Sequence, residues 1–143
     1  MSSFSVIRRV EFSDTDMAGI MHFANYFRFM ESAEHAFFRS LGMSIMGGEA
    51  DGIKIGWPRV HVECDYLAPL YFEDEVKVEL HLKGVNRRTI EYGFILRRVA
   101  DDLEAARGAI TIVCVSWDPP SGKMKSVAIP ESIRARLESS SDQ

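Results

Sequence analysis

The stretch Phe12-Ser13-Asp14-Thr15-Asp16-Met17-Ala18-Gly19-Ile20-Met21-His22-Phe23-Ala24-Asn25-Tyr26 decides the reading of this chain. It packs two carboxylates, a glycine and a histidine into one short polar break. A strand-like segment precedes the break and a long amphipathic helix follows it. A carboxylate near a helix start sits where unpaired backbone N–H groups point outward and positive partial charge collects. That setting suits chemistry needing a base or nucleophile together with a stabilised oxyanion.

Upstream, residues 4–12 alternate roughly in polarity and predict a first strand. Downstream, over residues 24–41, Phe27, Met30, Ala33, Ala36, Phe37 and Leu41 recur at spacings of three and four, one face of a helix. Gly42 suits the position just past its end. Residues 43–57 hold four glycines and read as a mobile connection. The period then becomes two. Val60, Val62, Cys64 and Tyr66 alternate with polar neighbours, as do Val76 to Leu82 and Ile90 to Leu96. Residues 109–117 are almost wholly apolar, which predicts a strand covered on both faces. Turns are expected at Ala68-Pro69, at 84–86 and at 100–102, and a loop at 118–122. Pro130 opens a short helix over 130–137.

The 143 residues predict one domain over 1–138, with 139–143 as a disordered tail. Hairpin-length links make the later strands antiparallel. One long helix beside several strands must be covered by the sheet for both to bury their apolar faces, giving an α+β class. The net charge of -4 leaves no excess of cations for a general nucleic-acid binder. No apolar leader and no membrane-length run is present, so a cytoplasmic protein without membrane insertion is expected. Cys64 and Cys114 read as buried free thiols.

The opening stretch also resembles the D-x-D-x-x-G-x-x-x-x-x-N-Y motif of the hotdog-fold acyl-CoA thioesterases. It is similar to the branch that includes 4-hydroxybenzoyl-CoA thioesterase and the YbgC-like enzymes. The resemblance implies a curved antiparallel sheet of about five strands wrapped around one long central helix. It implies an acyl-CoA substrate, short-chain or aromatic in its acyl part, and pairing into a homodimer or homotetramer with the site at a subunit interface.

It also implies roles for individual residues. Asp16 stands at the second Asp of the motif and would act as nucleophile or general base, two roles open to any carboxylate. The bland alternative is an Asp that caps a turn. Asp14 would order the loop. Gly19 would allow a positive φ or a close approach. The backbone N–H of Phe23 would polarise the thioester carbonyl. His22 departs from the pattern, because YbgC-like members carry Tyr-His where this chain has His22-Phe23. It would line the acyl pocket, aid proton transfer or pack at the seam between subunits. Asn25 and Tyr26 would position the loop and helix start beside the substrate. Arg87 and Arg88 would hold coenzyme A phosphates, as guanidinium forks suit phosphate oxygens. Arg59 is a weaker candidate, and Glu31 is a reserve base spaced to pair with His35.

Two rivals follow. A hotdog hydratase or dehydratase would use an Asp and a His, and a non-catalytic acyl-CoA-binding protein would use the same pocket. The chain has no G-x-S-x-G elbow, no zinc-like spacing and no glycine-rich phosphate loop. A metal or redox cofactor is therefore not expected; coenzyme A would enter only as part of the substrate.

Overall fold

The computed structural model describes residues 3–46, 49–50 and 53–141. The elements run β1 (Ser3–Arg9), α1 (Asn25–Ser40), β2 (Glu49–Ala50), β3 (Ile53–Gly56), β4 (Arg59–Tyr66), β5 (Glu75–Val85), β6 (Thr89–Arg98), β7 (Leu103–Val113), β8 (Val115–Asp118), β9 (Lys123–Ser126) and α2 (Glu131–Ser141). A five-stranded antiparallel sheet has the order β1-β5-β6-β7-β4. Four short strands form a second antiparallel sheet, β2-β3-β8-β9.

The alternation read in the sequence sets the core. Val76, Val78 and Leu80 on β5 and Ile90, Tyr92, Phe94 and Leu96 on β6 are all buried. The register places Leu80 opposite Phe94, and Phe94 opposite Gly108 on β7. Each such fully buried side chain contributes roughly 1.5–3 kcal/mol. Helix α1 lies on this face with Tyr26, Phe29, Met30, Ala33, Phe37 and Phe38 buried. At Gly108 the missing side chain leaves room for the Met30 methyl and for the Glu63 carbonyl, 2.9 Å from where a Cβ would stand.

Several boundaries differ from the sequence expectation. The buried stripe of α1 is rotated: Tyr26, Phe29 and Phe38 are inside, while Phe27, Ala36 and Leu41 are half-buried. The first strand stops at Arg9, and Phe12 instead enters a 3-10 turn over Phe12–Asp14. The apolar run 109–117 is not one strand. It breaks at Cys114, where the chain leaves the large sheet and joins the small one. Within the expected connection 43–57 lie β2 and β3 (residues 47, 48, 51 and 52 fall outside the described set). The loop expected at 118–122 is a hairpin turn between β8 and β9. Helix α2 continues to Ser141, past the point where the tail was expected to fray. Gly42 does end α1, with φ +77°. Among the described residues no helix is long and apolar enough to cross a membrane. Neither cysteine is in a disulfide.

Candidate active site

The loop between β1 and α1 is anchored on the segment that leads into β5. Val10 donates to the Asp74 carbonyl at 2.9 Å, Glu73 donates to the Val10 carbonyl at 2.8 Å, and Met21 donates to the Leu70 carbonyl at 2.7 Å. Inside this frame the chain turns tightly. The Asp16 N–H meets the Ile20 carbonyl at 3.0 Å, and the Gly19 N–H meets the Asp16 carbonyl at 2.9 Å. Gly19 has φ +84° and nothing within 4 Å of a would-be Cβ. The glycine is needed for its backbone conformation, since only glycine adopts that region at no steric cost.

The two carboxylates of the motif do different things. Asp14 accepts the Glu11 N–H at 2.8 Å through one side-chain oxygen. Its carbonyl accepts the His22 N–H at 2.9 Å and the Asn25 side-chain amide at 2.8 Å. Asp14 and Asn25 thus tie the loop to the helix start. Asp16 uses Oδ1 to accept the Ala18 N–H at 2.9 Å. Its other oxygen accepts no hydrogen bond among the described residues.

The peptide joining His22 to Phe23 is set from behind. Its carbonyl accepts the Asn25 N–H at 2.9 Å. A trans peptide points its N–H opposite to its C=O, so the Phe23 N–H faces away from the helix. Among the described residues it makes no hydrogen bond within the chain. The start of α1 has Ala24 as N-cap, which offers no side-chain cap. His22 supplies a local substitute: its Nδ1 accepts the Ala24 N–H at 3.2 Å, and its ring stacks on Phe23 at 4.6 Å.

Asp16, Phe23 and Tyr26 line one open cavity of about 560 Å³, closed by Ile20, Met21, Tyr66, Leu67, Ala68 and Pro69. Apart from Asp16 its lining carries no charge. Burial raises the Tyr26 hydroxyl above its ordinary range, helped by Cys64 and the Asp16 carboxylate and opposed by the Leu70 N–H. Tyr66 donates to the Phe23 carbonyl at 2.8 Å. Burial of its hydroxyl end, with Cys64 beside it, pushes Tyr66 up to about 12, although the residue is 46% exposed. From the sequence Tyr66 reads only as a strand residue and Ala68-Pro69 only as a turn. No local signal marks them, because the sheet brings them to Asp16.

Other expected site residues lie elsewhere. His22 and Gly19 hold the loop without lining the cavity. Arg87 and Arg88 sit in the exposed β5–β6 turn. Arg88 donates to the Ser126 hydroxyl at 3.0 Å, and Arg134 of α2 clamps the turn through the Val85, Asn86 and Arg87 carbonyls. The motif loop is anchored at the other end of β5, so eleven residues of strand put the two sites roughly 35 Å apart within one chain. Glu31 pairs with Arg59 at 3.2 Å rather than with His35. Both line a second cavity of about 540 Å³, together with Trp57, Trp117, Met46 and Lys54.

With this geometry, one comparison decides the family. Residues 10–137 match a single sequence family, the thioesterase-like superfamily. The chain belongs to that superfamily. This thioesterase is 27% identical over 134 residues to acyl-CoA thioesterase YbgC of Haemophilus influenzae, covering 94% of this chain and 93% of the relative. It is 29% identical over 139 residues to a 1,4-dihydroxy-2-naphthoyl-CoA hydrolase of Synechococcus sp. strain CC9311, covering 93% of this chain and 88% of the relative. Its fold is similar to that of 4-hydroxybenzoyl-CoA thioesterase from Pseudomonas sp. strain CBS-3, with a TM-score of 0.83 at 22% identity over 94% and 98% of the two chains. The fold is therefore of the hotdog thioesterase class, and the enzyme is a thioester hydrolase. Beyond the expected five strands it carries a second small sheet, and the short helix expected after Pro130 is α2.

Proposed function

We propose that this thioesterase hydrolyses short-chain or aromatic acyl-CoA to the free acid and coenzyme A, with Asp16 as nucleophile or general base. The observation that supports the reading is the shared cavity: Asp16, whose carboxylate keeps a free oxygen, and Phe23, whose backbone N–H is unpaired at a helix start, line the same space. The Phe23 N–H would accept the charge that builds on the thioester oxygen as the carbonyl becomes tetrahedral. Along the nucleophilic route, Asp16 attacks the carbonyl carbon. The C–S bond breaks, the thiolate leaves and takes a proton, and water then cleaves the mixed anhydride to regenerate the carboxylate. Along the general-base route, Asp16 takes a proton from water as it attacks, and later passes it to the leaving thiolate. Both routes need only water and the chain's own residues.

The lining supports an uncharged acyl group. Phe23, Tyr26 and Tyr66 bring three aromatic rings to the cavity, and no cation waits there for a carboxylated acyl chain. The Synechococcus relative is named for an aromatic acyl-CoA. Gly19 and His22 serve by holding the loop and helix start. The capping bond of His22 to Ala24 weighs against the hydratase reading, which needs a His beside the Asp.

Self-association as a homodimer or tetramer belongs to the same proposal. β4 is an edge strand with Val60 59% and Val62 45% exposed, an apolar edge that invites pairing. Antiparallel pairing of two β4 strands about their middle would bring Arg59 of the partner subunit alongside Tyr66. The second cavity and the Arg87–Arg88 turn lie at the Arg59 end of the sheet. A coenzyme A phosphate contact would then cross the interface.

A panel of acyl-CoA thioesters, benzoyl and short-chain members included, tests the reading by thiol release. Asp16→Asn should lower kcat by about 100-fold or more on the best substrate, with the fold intact. A kcat near wild type would overturn the assignment.

A further inference from the structure

Asp16 sits on a loop, but the group opposite it is held by a strand. Phe23 lies between two peptide planes, and each is pinned on a different side. The plane before it is held locally by the Asn25 N–H on the His22 carbonyl, 2.9 Å. The plane after it is held locally by His22 Nδ1 on the Ala24 N–H, 3.2 Å, and at long range by the Tyr66 hydroxyl on the Phe23 carbonyl, 2.8 Å, across 43 residues of sequence. Only φ and ψ of Phe23 link the two planes. The Phe23 N–H lies in the first plane, and the second plane, through φ and ψ of Phe23, limits how far the first can turn.

We infer that Tyr66 is a positioning residue for thioester hydrolysis, which holds the Phe23 carbonyl so that the Phe23 N–H stays aimed at the substrate carbonyl. This rests on the proposed role of Phe23 as oxyanion donor.

Three further observations support it. Helix α1 begins without a side-chain cap at Ala24, and the local substitute, His22 Nδ1 on the Ala24 N–H, leaves the Phe23 carbonyl of the same peptide to Tyr66. Tyr66 is fixed at both ends of its ring: it meets the buried Tyr26 edge-on at 4.8 Å, and its strand is laddered to β7. The hydroxyl is a donor through the neutral range, as in any tyrosine, and burial moves its ionisation further up, to about 12. A donor that loses its aim loses most of its use, since stabilising groups must be preorganised to within a fraction of an ångström.

The test is Tyr66→Phe, which deletes one oxygen from a half-exposed side chain. With benzoyl-CoA as probe, kcat should fall about 10- to 30-fold, less than the 100- to 1,000-fold loss of a donor removed outright. KM should stay within about twofold and the thermal midpoint should be unchanged, because the coenzyme A contacts and the core are untouched. A spectroscopic arm separates aim from stability. Benzoyl-CoA bound to the inactive Asp16→Asn protein should show its carbonyl stretch shifted to lower frequency, and adding Tyr66→Phe should reverse part of that shift. If Tyr66→Phe lowers solubility or folding, a fluorinated tyrosine at position 66 keeps the shape and acidifies the hydroxyl. Activity should then fall at the lower pH where that hydroxyl ionises. An unchanged kcat in Tyr66→Phe, or an unchanged carbonyl frequency in the double variant, would overturn the inference while leaving Asp16 in place. A carbonyl unshifted in Asp16→Asn alone would overturn the donor role of Phe23 and this inference with it. Full activity in Asp16→Asn would strike only the role of Asp16.

Discussion

Arg59 closes over the carboxylate of Glu34 with two of its nitrogens, joining the first residue of β4 to the middle of α1. Glu34 is 1% exposed, the one buried charged side chain among the described residues. Arg59 also reaches Glu31 and the Trp57 carbonyl, so each of its two terminal nitrogens makes two bonds. Tyr92, fully buried on β6, stands beside the same carboxylate.

Removing the cation should therefore unfold the protein more easily. Arg59→Met leaves Glu34 buried without its partner, a change that costs about 3–5 kcal/mol. Replacing both, Glu34→Leu with Arg59→Met, should recover much of that loss. Denaturant titration of the two singles and the double gives the coupling. Additive losses would mean that the pair contributes nothing as a pair.

Gly108→Ala should destabilise by roughly 1–3 kcal/mol, because the new methyl group meets the Glu63 backbone as well as the Met30 side chain. Met30→Leu relieves only the side-chain part. A Gly108→Ala midpoint equal to wild type would show that β4 and α1 shift apart freely.

Stability should fall on the alkaline side. Burial pushes the Cys114 thiol up to about 11 and Tyr66 up to about 12, and raises Tyr92 well above its ordinary value, with the Glu34 carboxylate adding to the effect. As pH rises past 9 the unfolded chain releases these protons first, while the folded chain keeps them. The unfolded state then binds fewer protons, so the slope of stability with pH is negative. Thermal midpoints should drop from about pH 9 onward, and Tyr92→Phe should make the decline shallower. A flat alkaline profile would contradict the burial of these groups.

Sedimentation at micromolar concentration should give at least twice the 16.2 kDa chain mass. A charged residue at the β4 edge, such as Val62→Lys, should shift the population toward single chains and lower activity with it. A wild-type species at the single-chain mass would remove the paired-edge proposal.

Arg87→Ala with Arg88→Ala should raise KM for acyl-CoA more than it lowers kcat, since a remote phosphate keeps its charge through the reaction. Each contact should be worth roughly 1–3 kcal/mol if partly desolvated. An acyl-pantetheine lacking the nucleotide should be affected much less. Mixed dimers add a sharper reading. Asp16→Asn chains combined with the double-arginine variant should regain a low KM if the contact crosses the interface, because one site then has both intact parts. No recovery would place the contact within one chain or remove it.

Much of the fold was legible because it is written in periodicity. The change from period three-and-a-half to period two located α1 and the strands of the large sheet, and Gly42 marked the helix end. What stayed hidden depends on partners distant in sequence. The run 109–117 carries no sign of its break, because β7 and β8 are equally apolar and differ only in which sheet pairs with them. The buried stripe of α1 is rotated from the pattern because Phe27 and Phe29 are alike to periodicity, and only the fold puts Phe29 inside, with Arg8 of β1 over its ring. In the site, Asp14, Asp16 and Gly19 were readable since turn chemistry is local. Tyr66, Arg134 and the Arg59–Glu34 pair were not, since each acts across dozens of residues.

Tyr66 and Arg59 stand at opposite ends of β4, about 23 Å apart by strand rise, and each grips the segment that carries α1. The helix is thus a beam clamped to the sheet at its entry and at mid-span. It cannot slide along its axis or roll without breaking a clamp. Asp16 is held instead by bonds within its own loop, to Ile20, Gly19 and Ala18. The two segments are thus held differently, the helix start by side chains of β4 and the Asp16 turn by its own backbone, so a loop substitution acts on the carboxylate without touching either clamp.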